Sequence, residues 1–126
     1  MSYASVTKYN YTGDFKKFYS LETRKYEGQR VKDKFPDRIP IIVEQERDTL
    51  KVLLDKRKYL VPLDMTVGQF MYVIRKRLKL EPQKALYMFF NGGLSPVSAK
   101  LETLYNEHKD TDHFLYCVIG AEKTFG

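Results

Sequence analysis

The chain has 126 residues, a mass of 14.9 kDa and a formal net charge of +6, from 22 Lys and Arg against 16 Asp and Glu. That length fits one domain with a modest core and excludes a multidomain enzyme. With 43% apolar and 30% charged residues the composition is that of a folded domain rather than a disordered chain, and no apolar run approaches the ~20 residues that span a bilayer.

Residues 1–13 are rich in Ser, Thr, Tyr and Asn, lack any period, and read as a flexible arm. They also lack the apolar stretch of a secretory signal. From Asp14 the pattern turns helical, with Phe15, Phe18 and Tyr19 at i, i+3, i+4, and with Leu21, Val31 and Phe35 continuing one weak stripe. Gly28 interrupts it, and Phe35-Pro36 ends it, because the proline ring disfavours a helical residue before it. The helical region therefore covers 14–36.

Arg38 to Glu46 is β-branched and reads as a strand. Arg47 to Arg57 is a polar connection. Lys58 to Leu63 is a short strand, and Pro62, which has no amide hydrogen to donate, pushes it to a sheet edge. Thr66-Val-Gly-Gln69 fits a capping box, with Met65 and Phe70 as its hydrophobic staple. Val67, Phe70, Met71, Ile74 and Leu78 then form an amphipathic helical stripe. Leu86 to Phe90 is a buried strand, and Asn91-Gly-Gly93 is a turn. Ser98 is expected to cap a short helix that turns Leu101, Leu104 and Tyr105 inward, and Leu115 to Ile119 is the last strand. Two strands, a crossing helix and two more strands is the β-grasp order of ubiquitin.

Catalytic chemistry finds little support. Cys117 is the single cysteine and lies in an apolar strand, where a thiol behaves as a small hydrophobe. His108, Asp110, Asp112 and His113 could be imagined around a metal, but read more simply as a helix end and a polar turn. No phosphate loop and no placed carboxylate pair is present. Charge is uneven: residues 1–80 hold 18 basic and 10 acidic side chains, and residues 81–126 hold 4 and 6. Such a basic front half attracts anionic partners. Two features carry function: the edge strand, which can accept an extended peptide, and the terminal Gly126, whose unhindered carboxylate can enter a narrow enzyme cleft.

Together these residues resemble the autophagy ubiquitin-like modifiers, the autophagy-related protein 8 type that includes GABA-receptor-associated and microtubule light-chain-three proteins. The resemblance runs from about Leu21 to Gly126. It is carried by KFPDRIPIIVE (34–44), KYLVP (58–62), TVGQF (66–70), IRKR (74–77), LYNEH (104–108), FLY (114–116) and the ending Phe125-Gly126. It implies an α+β fold: a ubiquitin-like β-grasp of four strands in a mixed sheet with a crossing helix, spanning 37–121, preceded by two N-terminal helices and followed by a conjugation tail, 122–126. It implies no catalytic role and no cofactor or metal.

Gly126 would be activated by an E1-like enzyme, passed to an E2-like conjugating enzyme and joined to phosphatidylethanolamine, and a cysteine protease would later release it. Precursors in the family carry residues beyond that glycine. The protein would reside in the cytoplasm as a monomer, and on autophagosomal membranes once lipidated. There it would help membrane expansion and recruit cargo receptors through short acidic-aromatic motifs.

By position, the resemblance assigns an aromatic pocket to Glu27, Val31, Pro40, Ile42, Lys58, Leu60 and Phe114. It assigns an aliphatic pocket to Tyr59, Val61, Pro62, Met65, Phe70 and Val73, and gives contacts with acidic residues to Arg38 and Lys56. Residues 45–54 and Gly92, Gly93 and Lys100 depart from the family pattern. An unconjugated peptide-binding trafficking adaptor is the alternative. A nucleic-acid binder is not expected, because Tyr87, Phe89 and Phe90 read as a core strand.

Overall fold

A computed structural model describes residues 15–46, 48–50 and 52–122. The elements, in order, are α1 (Phe15–Phe18), α2 (Leu21–Lys34), β1 (Arg38–Gln45), β2 (Lys58–Pro62), α3 (Val67–Leu78), β3 (Leu86–Phe90), β4 (Gly93–Leu94), α4 (Leu101–His108) and β5 (Leu115–Ala121). The strands form one mixed sheet in the order β2-β1-β5-β3-β4. β1 runs parallel to β5 and antiparallel to β2, and β3 is antiparallel to both β5 and β4.

The sheet has five strands where four were expected. The fifth, β4, has only two residues, too few to show an alternation in sequence. It exists because Asn91 and Gly92 both take positive φ, 51° and 78°, as a tight hairpin turn demands, and so return the chain beside Phe90.

Strand alternation sends Ile39, Ile41 and Val43 of β1 to one face of the sheet, where they join Tyr59, Val61, Leu115, Cys117 and Ile119. α3 covers this face with Val67, Phe70, Ile74 and Leu78, and α4 adds Leu101, Leu104 and Tyr105. The α3 capping box forms in both directions: the Gln69 amide donates to Thr66 Oγ1 at 3.2 Å, and the Thr66 amide donates to Gln69 Oε1 at 2.9 Å. The expected Ser98 cap does not form. α4 begins at Leu101 after Lys100, with no side-chain cap, and the Leu101 amide is satisfied instead by the Met65 carbonyl at 2.9 Å.

The other face carries α1 and α2, and here the sequence stripe holds only in part: Phe15 and Val31 are buried. Phe18 and Leu21 are exposed. Ser20 caps the start of the second helix, its Oγ accepting from the Thr23 amide at 3.2 Å. The buried residues of α2 are Arg24, Glu27, Gly28 and Val31. They have i, i+3, i+4, i+7 spacing, but only one of the four is a large apolar residue. Gly28 is required by proximity: a Cβ there would lie 2.0 Å from the Asp112 carbonyl oxygen.

The connection between β1 and β2 is fastened by Gln45. Its buried amide donates to the Val52 carbonyl and accepts from the Leu54 amide, both at 2.7 Å, while Leu50 and Leu54 reach the core.

Candidate functional site

β2 is the edge strand of the sheet, bonded to β1 alone. Its register pairs Ile42 with Lys58 and Pro40 with Leu60 on one face, and Ile41 with Tyr59 and Ile39 with Val61 on the other. The two sets therefore divide between the faces of β2 at residues 58–61, while Pro62 of the aliphatic set, at the strand end opposite Arg38, shares the alternation of Lys58 and Leu60. Lys58 and Leu60 face the N-terminal helices, whereas Tyr59 and Val61 face α3.

On the α2 side, Lys58 is fully buried and donates to Glu27 Oε1. Burial lowers the Lys58 pKa, and the bond to Glu27 opposes that without cancelling it. Glu27 Oε2 is buried without a hydrogen-bond partner among the described residues. Ile42 and Phe114 pack with Phe15 of α1, whose ring stands edge-on to Phe114 at 5.9 Å and lies 5.4 Å from Lys58 Nζ. Phe15, outside the assigned set, thus touches three of its members; no motif around it distinguishes it from Phe18. Val31 and Pro40 are buried, and Leu60 is half-buried at the edge.

On the α3 side, Tyr59 and Phe70 meet edge-to-face at 5.3 Å, and with Val61 they belong to the main core. Burial raises the Tyr59 pKa, and its hydroxyl finds no hydrogen-bond partner among the described residues. Pro62, Met65 and Val73 are the half-buried members, and they line a cleft of about 730 Å³. Arg38 and Lys56 stand at opposite ends of β2. Arg38 pairs with Pro62, the last residue of the strand, and Lys56 precedes its first residue, with its ammonium 5.2 Å from the Tyr59 ring centre. Gly126 and Phe125 lie outside the described residues.

The residues with catalytic or metal potential are structurally committed. Asp112 is fully buried; its Oδ2 accepts from Arg24 Nη1 at 2.7 Å and from the Tyr116 hydroxyl, and its Oδ1 accepts from the Phe114 amide at 2.9 Å. Asp110 accepts from Lys16 Nζ at 2.7 Å. Partial burial acts to raise the Asp110 pKa, but the bonds from Lys16 and the Asp112 amide, with the charges of Lys16 and Arg24, hold it below the ordinary value. These carboxylates fasten α1 and α2 to the segment that leads from α4 into β5. Among the described residues no cluster of three or more His, Cys, Asp or Glu could hold a metal. Burial also pushes the Cys117 thiol up, away from the thiolate that nucleophilic chemistry needs. Phe90 is a core residue, while Tyr87 and Phe89 are more exposed on the opposite face of β3.

A family model described as autophagy protein Atg8 ubiquitin like matches residues 23–126. Among curated relatives, autophagy-related protein 8 of Schizosaccharomyces pombe is 52% identical over 112 residues, 89% of this chain and 93% of the relative. Autophagy-related protein 8 of Saccharomyces cerevisiae is 51% identical, covering 89% and 96%, and autophagy-related protein 8d of Arabidopsis thaliana is 49% identical, covering 89% and 93%. The crystal structure of Trypanosoma brucei ATG8 superposes with a TM-score of 0.83 at 40% identity, covering 90% of this chain and 98% of that one.

Proposed function

This chain belongs to the Atg8 family of ubiquitin-like autophagy proteins, and from that premise we propose that it is a modifier rather than an enzyme. It is conjugated through Gly126 to phosphatidylethanolamine on autophagosomal membranes, where it recruits cargo receptors along β2. The conjugation chemistry resides in E1-like and E2-like enzymes and a deconjugating cysteine protease. The protein itself supplies the terminal glycine and a docking surface. No helix among the described residues is long and apolar enough to cross a membrane, so a covalently attached lipid with two acyl chains would provide a stable anchor.

The observation that supports recruitment is the open edge of β2 with distinct surroundings on its two faces. A peptide added there as an extra strand alternates its side chains between the faces. An aromatic anchor on the α2 side and an aliphatic anchor on the α3 side must then be an odd number of positions apart. Acidic residues flanking the anchors would form charge-assisted hydrogen bonds with Lys56 and Arg38 at the strand ends. The aromatic group would settle at Leu60, above the Glu27–Lys58 pair and against the layer that Phe15 forms with Ile42 and Phe114.

Substitution of Gly126 by Ala tests the modifier reading. Membrane recruitment in cells is expected to be lost, with no mass increment of the lipid on the membrane fraction. Recruitment unchanged from wild type would replace the modifier with an unconjugated adaptor.

A further inference from the structure

The end of β5 runs on past its neighbour β1. The parallel pairing of the two strands stops at Gln45 and Ile119, whereas β5 continues to Ala121, opposite Leu86 of β3. On the side that β1 vacates, the start of the β1–β2 connection takes over. The Glu46 amide donates to the Ile119 carbonyl at 2.8 Å, and the Leu50 amide donates to the Glu46 carbonyl at 3.0 Å, which closes a turn. That turn brings Thr49 against the strand end. The Ala121 amide donates to Thr49 Oγ1 at 3.0 Å, and the Thr49 hydroxyl donates to Glu46 Oε1 at 3.1 Å. The carboxylate thus takes the hydroxyl hydrogen and leaves an oxygen lone pair for the Ala121 amide. Gly120 lets the clasp close, since a Cβ there would lie 3.1 Å from Thr49 Oγ1 and 3.5 Å from Glu46 Oε2. Ala121 is held in the core at this point.

We propose that Thr49 and Glu46 are positioning residues for conjugation, fixing the point from which the C-terminal residues reach an enzyme. The inference rests on the modifier reading of Gly126. Gly126 follows Ala121 by five residues, so it can lie at most about 18 Å from the clasp. With the clasp closed, the cleft of an E1-like enzyme has only those five residues to order. With it open, Ala121 and then Gly120 join them. Each further backbone residue that must be ordered lowers the chance that the carboxylate stands in place by about tenfold. The clasp shares no residue with the β1–β2 pairing that supports the groove, so its opening leaves the peptide edge as it is.

The test is charging of the full chain by its E1-like activating enzyme and ATP, followed as thioester formed, together with amide exchange on the free protein. Thr49→Val keeps the side-chain volume and removes the hydroxyl. It is expected to lower kcat for charging about tenfold with KM unchanged, and to speed exchange of the Ala121 amide. Thr49→Ser, which keeps the hydroxyl, should restore both. Ile74→Val is the control: it lowers stability in the core beneath α3 without touching the clasp, and it should be charged as wild type is. Wild-type kcat or a still-protected Ala121 amide in Thr49→Val would overturn the positioning role while leaving Gly126 as the conjugated residue. So would an equal loss of kcat in Thr49→Ser or in Ile74→Val. Failure of the wild-type chain to be charged would overturn the modifier reading, and the positioning role with it.

Discussion

The two faces of the sheet are joined to their helices by different physics. α3 and α4 meet it through one continuous apolar core, from Ile39 and Val43 to Phe70, Ile74 and Leu104. α1 and α2 meet it through an apolar cluster of three buried residues, Phe15, Ile42 and Phe114, and a row of polar ties: Arg24 to Asp112, Lys58 to Glu27 and Lys16 to Asp110. An apolar seam draws its energy from area removed from water and has no direction. A polar seam contributes less net energy, because each buried charge loses its hydration, but its bonds fix one position of α2. That position matters for the groove, since α2 supplies Glu27 and Val31 next to Lys58. The apolar seam makes the fold; the polar seam sets the shape of one side of the groove.

The most severe way to break this contrast is to leave one buried charge alone. Lys58→Ala should cost about 3–5 kcal/mol in denaturant unfolding, whereas Lys58→Met combined with Glu27→Leu should be neutral or stabilising by about 1–4 kcal/mol. The exposed Arg77–Asp55 pair provides the control, and Asp55→Ala should change stability by less than about 1 kcal/mol.

Gly28→Ala comes next. On an exposed helix this change would stabilise by about 1 kcal/mol. Here the added carbon meets the Asp112 carbonyl, so the sign should reverse to a loss of about 1–3 kcal/mol.

The smallest effect is a pH dependence. Asp110 has a folded pKa below its ordinary value of about 3.9, so its stabilisation is fully present above that value and is lost as pH falls through the folded pKa. Asp110→Asn should lower stability at pH 7 and flatten the acid limb of the stability–pH curve. An unchanged acid limb would show that the Lys16 tie contributes nothing.

Legibility in the sequence followed the same divide. The apolar seam could be read: the Thr66 capping box, the stripe from Val67 to Leu78 and the strand Leu86–Phe90 all announce themselves by period or cap. The edge position of β2 could also be read, from Pro62. The polar seam could not, because Arg24, Glu27 and Gly28 carry the helical spacing of a buried face without its hydrophobicity. A stripe drawn on apolar residues includes the buried Phe15 and Val31 but also the exposed Phe18 and Leu21. Asp112 looked like part of a polar turn, and only tertiary structure reveals that it is buried beneath Arg24 and Tyr116. Ser20 caps α2 with no strong apolar period on either side to mark it. For the groove, the strand was legible, but the residues around it came from the resemblance. The alternation that divides them between two faces required the β1–β2 register. The cleft that Pro62, Met65 and Val73 line also takes in Val97, from the segment between β4 and α4, and no local pattern connects these positions.

Amide chemical shifts recorded while the full chain is titrated with the short acidic, aromatic and aliphatic peptide test the account most directly. Binding along β2 predicts the largest shifts at Lys58 to Val61, with slowed amide exchange on the open edge of that strand. Leu60→Ala should weaken the affinity by about 1–2 kcal/mol in a protein that remains folded. Shifts confined to another surface, or wild-type affinity in folded Leu60→Ala, would contradict it.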